Sequence, residues 1–508
     1  MSYRDHPPIG PALFGYDPAQ DVPQDHLARL VDEVVDAAIQ LPRRVGIRGN
    51  RPYDPRVGLK VLLLGYALGI RSSRVLEEMC RDRLSFKLLT RGETPSYRTL
   101  CHVRVRHRDL LEQVFVALFA VADRAGIQRC GRIKVDSHKV PANASPEAVI
   151  RKNEFADLLI EFERILKEAE EVDAREDDEG DGPPTRTSLG KTVETEQVRD
   201  IVRRVRKQMS RSKQSSESAD ASECRTVTSK TLARIRDGKA ALERAKAEGK
   251  AFVCLTDPDA QMMSGCRPRK NQECYSFEAA VDNGLLVASG ATQATSDNSR
   301  LTPLVEAARQ NEPEGIIEVT ADSGFYAGDA VAELEKAGIQ TCVPDANTSG
   351  AARRGRFIQP RFEGGSVVFV YDDAADCYRC PQGNELKRLQ SRRHGGQQLS
   401  KYRAIRDCTG CPLVSGCLKQ PGARRRTFNI GQNHMLLEDL RRRFNSDAHW
   451  ALYRQRAPAV ETVFGVLKGT LGFTRWMLRG QRAVSCEAWL FTLAYQLRKV
   501  HRQWVPAT

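Results

Sequence analysis

Three acidic residues lie at positions where carboxylates could gather to hold metal ions. Asp136 lies in an apolar stretch with the character of a β-strand, Asp322 directly follows a second such stretch, and Glu461 lies early in a predicted helix. Carboxylates at strand ends, completed by one from a helix, can hold two Mg²⁺ (or Mn²⁺) ions about 3.5 to 4 Å apart for phosphodiester displacement. Because the chain has 65 acidic residues, ordinary strand-end or helix-capping roles for these three remain an alternative.

Basic residues accompany Glu461 at regular spacing. Arg454, Glu461 and Lys468 are seven residues apart, so an unbroken α-helix would return them to one face within about 20°. Pro458 argues against an unbroken helix as far back as Arg454. Lys468 is therefore the stronger candidate for a phosphate-binding cation beside a metal-binding acid, and a solvated charged face is the alternative.

A cluster of cysteines indicates a second kind of metal site. Two Cys-x2-Cys pairs have zinc-ribbon spacing and would supply four thiolates to a structural Zn²⁺: Cys377, Cys380, Cys408 and Cys411. Three further residues are surplus or competing ligands: Cys417, Asp376 and His394. Reduced thiols in a basic loop, without metal, are the alternative.

The composition favours a polyanionic partner. Lysine and arginine number 79 against 65 acidic residues, which gives a net charge of +14 and a pI near 9.2. A long cationic surface gains free energy by releasing counterions from phosphates, so nucleic acid is a better candidate than a membrane. The longest apolar run, 61–70, has about half the length that a bilayer span needs, and the N-terminus lacks a secretory pattern. We expect a cytoplasmic, nucleoid-associated protein.

The order of predicted elements indicates an α/β fold with inserted segments. Helical spacing prevails before residue 130, and short apolar strands alternate with helices after it. Residues 150–250 read as charged helices with a disordered centre, and a net charge of +10 between Lys387 and Arg426 indicates a separate basic segment. The predicted division is an all-helical N-terminal domain at 1–130, a catalytic domain at 131–149 with 251–345 and 429–505, a charged helical insertion at 150–250, and a basic Cys-rich insertion at 346–428.

Several ordered blocks of the sequence carry a resemblance to a known family. After residue 130 they are Val-Asp-Ser-His-Lys around Asp136, Thr256 to Ala260, Ala280 to Asp282, Ala321 to Tyr326, and Val460 to Lys468. In the first hundred residues they are Tyr53 to Arg56, Arg71 to Arg74, and Phe86 to Leu89. Together these blocks resemble a bacterial insertion-sequence DDE transposase with a helical N-terminal domain.

The resemblance implies a ribonuclease H-like catalytic domain with a triad formed by Asp136, Asp322 and Glu461. Many such transposases have a Tyr, Arg, Glu, Lys signature around the last acid. Here the series is Tyr453, Arg456, Glu461 and Lys468, with four residues instead of three between the arginine and the glutamate. Four basic residues are the predicted DNA contacts: Lys468, Arg454, Arg456 and Arg475.

A protein of this kind cuts DNA at the ends of its own mobile element and joins the freed 3′-hydroxyl to target DNA. The expected partners are therefore double-stranded transposon ends and target DNA. A homodimer is expected because two ends must be joined. Two alternatives stay open: a catalytically inactive repressor derived from a transposase, and a ribonuclease H-like nuclease that acts on other nucleic acids.

Overall fold

The computed structural model describes most of the chain. The described residues are 17–40, 53–178, 198–212, 229–264, 271–353, 362–364, 367–372, 374–394, 397–418, 422–431, 433–444 and 446–506. The predicted disordered centre of the charged insertion lies largely outside the described residues.

The N-terminal region is helical, as predicted. Its helices are α1 (Pro18–Asp21), α2 (Leu27–Ala38), α3 (Pro55–Ala67), α4 (Ser73–Asp82), α5 (Leu84–Thr90), α6 (Tyr97–Arg106) and α7 (Arg108–Arg124). Side-chain caps begin several of them, because Asp54, Ser72 and Ser96 accept hydrogen bonds from backbone N–H groups of the first turn. Helix α3 is apolar on almost every side and is buried along its whole length. A helix of this kind must lie at the centre of its region.

A mixed β-sheet follows the helices. Its strands are β1 (Arg132–Pro141), β4 (Gln261–Ser264), β5 (Asn271–Asp282), β6 (Leu285–Thr292), β7 (Glu318–Thr320) and β8 (Gln340–Cys342). The strand order is β4, β5, β1, β7, β8, and β6 pairs with β5. Strand β1 runs antiparallel to β5 and parallel to β7. Asn283 and Gly284 join β5 to β6 with positive φ angles of 44° and 77°, as a tight hairpin turn requires.

Helices α11 (Leu301–Arg309) and α12 (Gly328–Lys336) flank this sheet. They connect β6 to β7 and β7 to β8. Helix α12 joins the parallel strands β7 and β8, as parallel pairing requires. Helix α11 precedes β7, which also runs parallel to β1. The combination confirms the predicted mixed α/β class.

The charged insertion is helical and leaves the sheet region at a pair of short strands. Strand β2 (Val149–Arg151) pairs with β3 (Phe252–Cys254), so the chain departs and returns at adjacent positions. Between them lie α8 (Phe155–Asp178), α9 (Val198–Ser212) and α10 (Ser229–Ala247). These helices share an apolar cluster of their own that includes Phe162, Ile201 and Leu242.

The basic Cys-rich segment begins with α13 (Ala346–Arg353) and then forms a second, antiparallel sheet. The strands are β9 (Phe362–Gly364), β10 (Val367–Asp372), β11 (Cys377–Arg379), β12 (Glu385–His394), β13 (Gln397–Ala404) and β14 (Thr427–Gly431), and they pair in that order. A short helix, α14 (Val414–Cys417), precedes the last strand. Phe369, Tyr378, Tyr402 and Phe428 form an aromatic core for this sheet.

The C-terminal helices return the chain to the first sheet. They are α15 (His434–Arg443), α16 (Asp447–Arg454), α17 (Arg456–Gly465), which continues as a π-helical segment (Val466–Thr470), and α18 (Gln481–His501). Helix α18 packs against α3 and α7 on one side and against β6 on the other. One continuous apolar core therefore joins the N-terminal helices to the mixed sheet. No helix among the described residues combines the length and apolar character needed to cross a bilayer.

Candidate active site

Strand register places two of the three predicted acids side by side. Strands β1 and β7 run parallel, with Lys134 opposite Thr320. Asp136 lies two residues after Lys134 on β1, and Asp322 lies two residues after Thr320, the last residue of β7. The Asp322 side chain accepts the Gly324 N–H at 2.9 Å and caps a short 3₁₀ turn. The carboxylates therefore leave the sheet at one edge of two neighbouring strands.

The Asp136 carboxylate is half-buried and close to another negative charge. Burial raises its pKa, and the neighbouring Asp322 carboxylate raises it further. Two groups oppose this effect: the Arg456 guanidinium and the Ser137 N–H, which donates to Asp136 Oδ1 at 2.8 Å. A site of this kind favours a bound cation, because a cation offsets both the desolvation and the repulsion.

Asp297 brings a third carboxylate to the same place. Its Oδ1 accepts a hydrogen bond from Ser137 Oγ at 2.9 Å. Burial raises the pKa of Asp297, and the Asp322 carboxylate adds to the increase. A Cβ atom built on Gly324 would lie 3.0 Å from Asp322 Oδ1 and 3.4 Å from Asp297 Oδ2. No spacing signal in the sequence indicates that Asp297 lies beside Asp322.

Arg456 crosses from helix α17 to the first strand. Its Nη1 donates to Asp136 Oδ2 at 2.8 Å, and both side chains are largely shielded, with 14% and 21% exposed. The Arg456 guanidinium therefore balances the negative charge of Asp136 in the protein without bound metal or DNA. The prediction of Arg456 as a DNA contact stays a prediction, and the observed partner of its side chain is Asp136.

The helix that carries Arg456 begins anew after Gln455. Helix α16 ends at Arg454, and Pro458 lies within the first turn of α17, where its missing N–H is tolerated. The continuous helix from Arg454 to Lys468 is therefore not formed. Arg454 is exposed, and its guanidinium lies 5.4 Å from the Trp450 ring centre. The DNA contact of Arg454 stays a prediction, and Arg454 does not share a continuous helix with Glu461.

Lys468 lies in the π-helical segment that follows α17. The wider turn is closed by a hydrogen bond from Leu471 N–H to Val466 O at 3.0 Å. Glu461 lies in the α-helix and Lys468 in the π-helical segment, so the prediction that a seven-residue spacing returns them to one helix face does not hold. Lys468 is exposed. Burial lowers the pKa of His138 on β1 to about 4, and the positive charge of Lys468 contributes to this decrease.

Glu461 lies on the solvent side of α17. Val460 and Val463 are fully buried beneath the helix, whereas the Glu461 side chain is exposed and has no hydrogen-bond or ion-pair partner within the described part of the chain. The helix crosses β1, because Phe464 packs on His138 with ring centres 5.8 Å apart. The third predicted acid therefore belongs to the helix that covers Asp136, without direct contact with the other two.

The carboxylates at this site are chemically suited to bind Mg²⁺, but their side chains are not arranged around a common point. Asp136, Asp322 and Asp297 offer hard carboxylate oxygens, the ligands that Mg²⁺ and Mn²⁺ prefer. Within the described residues no three carboxylate, imidazole or thiol side chains are already placed around one point as metal ligands. The Arg456 guanidinium holds one of the oxygens that an ion would use.

Arg475 is exposed and lies between the π-helical segment and α18. Its Nη2 donates to Asn143 Oδ1 at 3.2 Å, and its carbonyl oxygen accepts from Arg71. The neighbouring Trp476 is fully buried in an aromatic cluster with Phe473 and Phe277, which makes it a core residue. The structure therefore leaves Arg475 exposed towards solvent, and its DNA contact stays a prediction.

The predicted zinc ligands separate into two groups. Cys380, Cys408 and Cys411 line one pocket, and Cys417 lines it as well. Cys377 is not among the residues described around that pocket; it is fully buried in strand β11, opposite Lys387 of β12. The Asp376 carboxylate accepts from Tyr371 and Tyr402 hydroxyls, so it faces the aromatic core.

Comparison with known protein families gives two matches. Residues 17–106 match the model described as Transposase domain (DUF772), and residues 379–501 match the model described as Transposase DDE domain. The first covers helices α1 to α6, and the second runs from the Cys-rich sheet through Arg456 and Glu461 to the end of α18. No curated protein matches the chain. The two matches, at opposite ends of the sequence, support an insertion-sequence DDE transposase.

Proposed function

We propose that this transposase catalyses DNA-mediated transposition of an insertion sequence, by metal-dependent cleavage at the element ends followed by strand transfer to target DNA. Asp136, Asp322 and Glu461 are the proposed catalytic acids. The observation that carries the proposal is the pairing of β1 with β7, which brings Asp136 and Asp322 to one edge of the sheet. The family match alone does not reach either aspartate.

A ribonuclease H-like fold for the catalytic domain is part of this proposal. Its support is the strand order: β1 is central, with an antiparallel partner, β5, on one side and a parallel partner, β7, on the other. Strand β6 extends the sheet beyond β5 as a hairpin, and β8 extends it beyond β7 as a second parallel strand. The first acid then lies on the central strand and the second at the end of its parallel neighbour.

The proposed ions are two Mg²⁺ (or Mn²⁺), held by Asp136 and Asp322 and completed by Glu461. When bound, they would lower the pKa of an attacking water or DNA hydroxyl and stabilise the leaving oxygen. The protein contributes the carboxylates, a rigid strand pair that holds them, and flanking cations. The hydrogen bond between Ser137 and Asp297 would hold the Asp136 strand against the loop after β6.

Glu461 must approach the aspartates for this chemistry. Its helix rests on β1 through Phe464 and is tied to Asp136 by Arg456. We infer that release of Arg456 from Asp136, towards a DNA phosphate, accompanies ion binding. Arg456 would then become the phosphate contact that the family signature implies, with Lys468, Arg454 and Arg475 along the same DNA path.

Double-stranded DNA is the proposed partner, at both transposon ends and target. The net charge of +14 suits contact with many phosphates. The sequence-independent part of such binding weakens as salt is raised. A homodimer is proposed for the active complex because two ends must be joined to one target.

The decisive experiment uses a plasmid that carries the gene with its natural flanks. Purified protein with Mg²⁺ should cut at two inverted flanking repeats, and Asp136→Asn, Asp322→Asn and Glu461→Gln should each abolish the cut while retaining binding to the flanks. Glu306→Gln is the matched control, because Glu306 is an exposed helical glutamate whose ion pair with Arg309 lies within its own helix. Full cleavage by any of the three acid variants would overturn the assignment of that residue.

The same experiment separates the second candidate function, an inactive repressor. A repressor would bind the flanks with strong salt dependence and show no Mg²⁺-dependent cleavage by the unmodified protein. A nuclease acting on other nucleic acids would cut unrelated duplexes at the same rate as the flanks. The adjacent carboxylates with raised pKa values at Asp136 and Asp297 favour the catalytic reading, because a repressor has no need for clustered buried charge.

A further inference from the structure

Four cysteine thiols converge on one pocket of the Cys-rich sheet. They come from three places in the chain: Cys380 follows strand β11, Cys408 and Cys411 lie in the loop after β13, and Cys417 ends helix α14. All four are free thiols. The pocket is closed by Asn384, which bridges the two loops through hydrogen bonds with Arg406.

The hydrogen bonds around these sulfurs are those that thiolate ligands need. The Asn384 N–H donates to Cys380 Sγ at 3.3 Å, and the Leu413 N–H donates to Cys411 Sγ at 3.4 Å. Asn384 Nδ2 lies 3.7 Å from Cys408 Sγ and donates to it. Donors aimed at sulfur stabilise negative charge on it, whereas a structural thiol in an apolar core has no need of them.

Cys417 lines the same pocket as the other three thiols, and Arg426 lines it as well. Arg426 also donates to the Cys417 carbonyl at 2.7 Å, so positive charge is fixed at the pocket.

We propose that Cys380, Cys408, Cys411 and Cys417 bind one structural Zn²⁺, and that Cys377 is not a ligand. This set differs from the two Cys-x2-Cys pairs that spacing alone suggested. Four thiolates complete a tetrahedral zinc site with Zn–S distances of about 2.3 Å. No three of the described donor side chains already surround one point, so binding requires the sulfurs to turn inward across the pocket they share. The proposal is independent of the catalytic assignment.

Zinc at this position would add a link between segments that hydrogen bonds already connect. Cys408 N–H donates to Arg424 O at 2.7 Å, and Ile405 N–H donates to Glu385 O at 2.8 Å. The ion would hold the loop after β13 and helix α14 against the end of β11. It would therefore order the basic stretch that includes Arg424 and Arg426, next to the strand that begins at Thr427.

The test is zinc content of the full-length protein purified without added chelator and of single cysteine variants. We expect one zinc per chain in the unmodified protein and in Cys377→Ser. We expect at least a tenfold lower zinc occupancy in Cys417→Ser and Cys408→Ser after dialysis against a weak chelator. Zinc lost from Cys377→Ser and kept by Cys417→Ser would overturn the ligand set, and an unmodified protein that binds no zinc when supplied with it would overturn the site.

A second measurement needs no variant and covers the case in which a variant fails to fold. Alkylation of native protein, mapped by mass spectrometry with and without a strong chelator, reports the protection of each thiol. Removal of zinc should accelerate labelling of Cys380, Cys408, Cys411 and Cys417 together. The exposed Cys101 is the internal control, and its labelling rate should not change. Equal labelling of the four thiols in both conditions would contradict the proposal.

Discussion

Arg456 and Asp136 form an ion pair at 2.8 Å although 320 residues separate them in the chain. The pair joins the helix that carries Glu461 to the central strand of the mixed sheet. It also places a guanidinium where the proposed mechanism requires a divalent cation. The stability of the metal-free site therefore depends on this arginine, and ion binding must compete with it.

The first prediction concerns the free energy of unfolding without metal. Arg456→Met should lower it by about 1–3 kcal/mol, because the substitution leaves the half-buried Asp136 carboxylate beside Asp322 without its cation. In the Asp136→Asn background the same substitution should cost much less. Urea denaturation of the four proteins measures this coupling, and Arg454→Met is the exposed control. Equal costs in both backgrounds would show that the pair adds no net stability.

Mg²⁺ provides a second test of the same ion pair. Added Mg²⁺ should recover part of the stability lost in Arg456→Met, because the ion replaces the missing positive charge at Asp136. It should recover none in the double variant with Asp136→Asn. The midpoint of urea unfolding, measured across a series of Mg²⁺ concentrations, reports the effect. A shift of the same size in both proteins would place the ion elsewhere.

Gly324 offers a test of the carboxylate geometry that leaves every charged group in place. Gly324→Ala would put a Cβ atom 3.0 Å from Asp322 Oδ1 and 3.4 Å from Asp297 Oδ2. We expect the carboxylates to be displaced and cleavage of the flanked plasmid to fall at least tenfold, with a loss of stability below about 1 kcal/mol. Gly290→Ala is the matched control, because a Cβ atom there meets nothing within 4 Å. Unchanged cleavage by Gly324→Ala would mean that the positions of these two carboxylates are not critical.

Glu312 should make the free energy of unfolding depend on pH between about 4.5 and 7. Burial raises its pKa from 4.5 to about 7, and the Asp282 carboxylate contributes. The folded protein therefore holds this proton more tightly than the unfolded chain does. The resulting stability is fully present below pH 4.5 and is lost as pH rises through about 7. Glu312→Gln should remove about 1–3 kcal/mol of this decline, measured by urea denaturation at several pH values. Glu306→Gln, at an exposed helical site, should retain the decline of the unmodified protein.

Packing between the N-terminal helices gives a prediction about the core. A Cβ atom on Gly58 would lie 2.8 Å from Val103 Cγ2, at the contact between α3 and α6. Gly58→Ala should therefore lower the free energy of unfolding by about 1–3 kcal/mol. Gly465→Ala, which meets nothing within 4 Å in helix α17, should be neutral or stabilising by up to about 1 kcal/mol. Thermal or urea unfolding of both variants measures the difference, and a neutral Gly58→Ala would show that the helices can separate slightly without cost.

Local patterns in the sequence determined most of the elements. The predicted strand around Asp136 and the predicted strand before Asp322 are both present, and the region before residue 130 is helical as predicted. These predictions succeeded because strand length, helical spacing and glycine or proline ends are properties of short segments. The resemblance to DDE transposases likewise rested on local blocks and is confirmed by the family matches.

Tertiary structure decided which of these residues meet. The parallel register of β1 and β7 brings Asp136 beside Asp322, and the loop after β6 adds Asp297, a contact that no spacing along the chain could indicate. Helix packing on the sheet decided that Arg456 pairs with Asp136. In the Cys-rich sheet, regular Cys-x2-Cys spacing suggested Cys377, but that side chain is buried in β11 and does not line the pocket, whereas Cys417 at the end of α14 does. Sequence spacing reports neighbours within a few residues, whereas a metal or catalytic site depends on long-range pairing and packing, which form only when the whole chain folds.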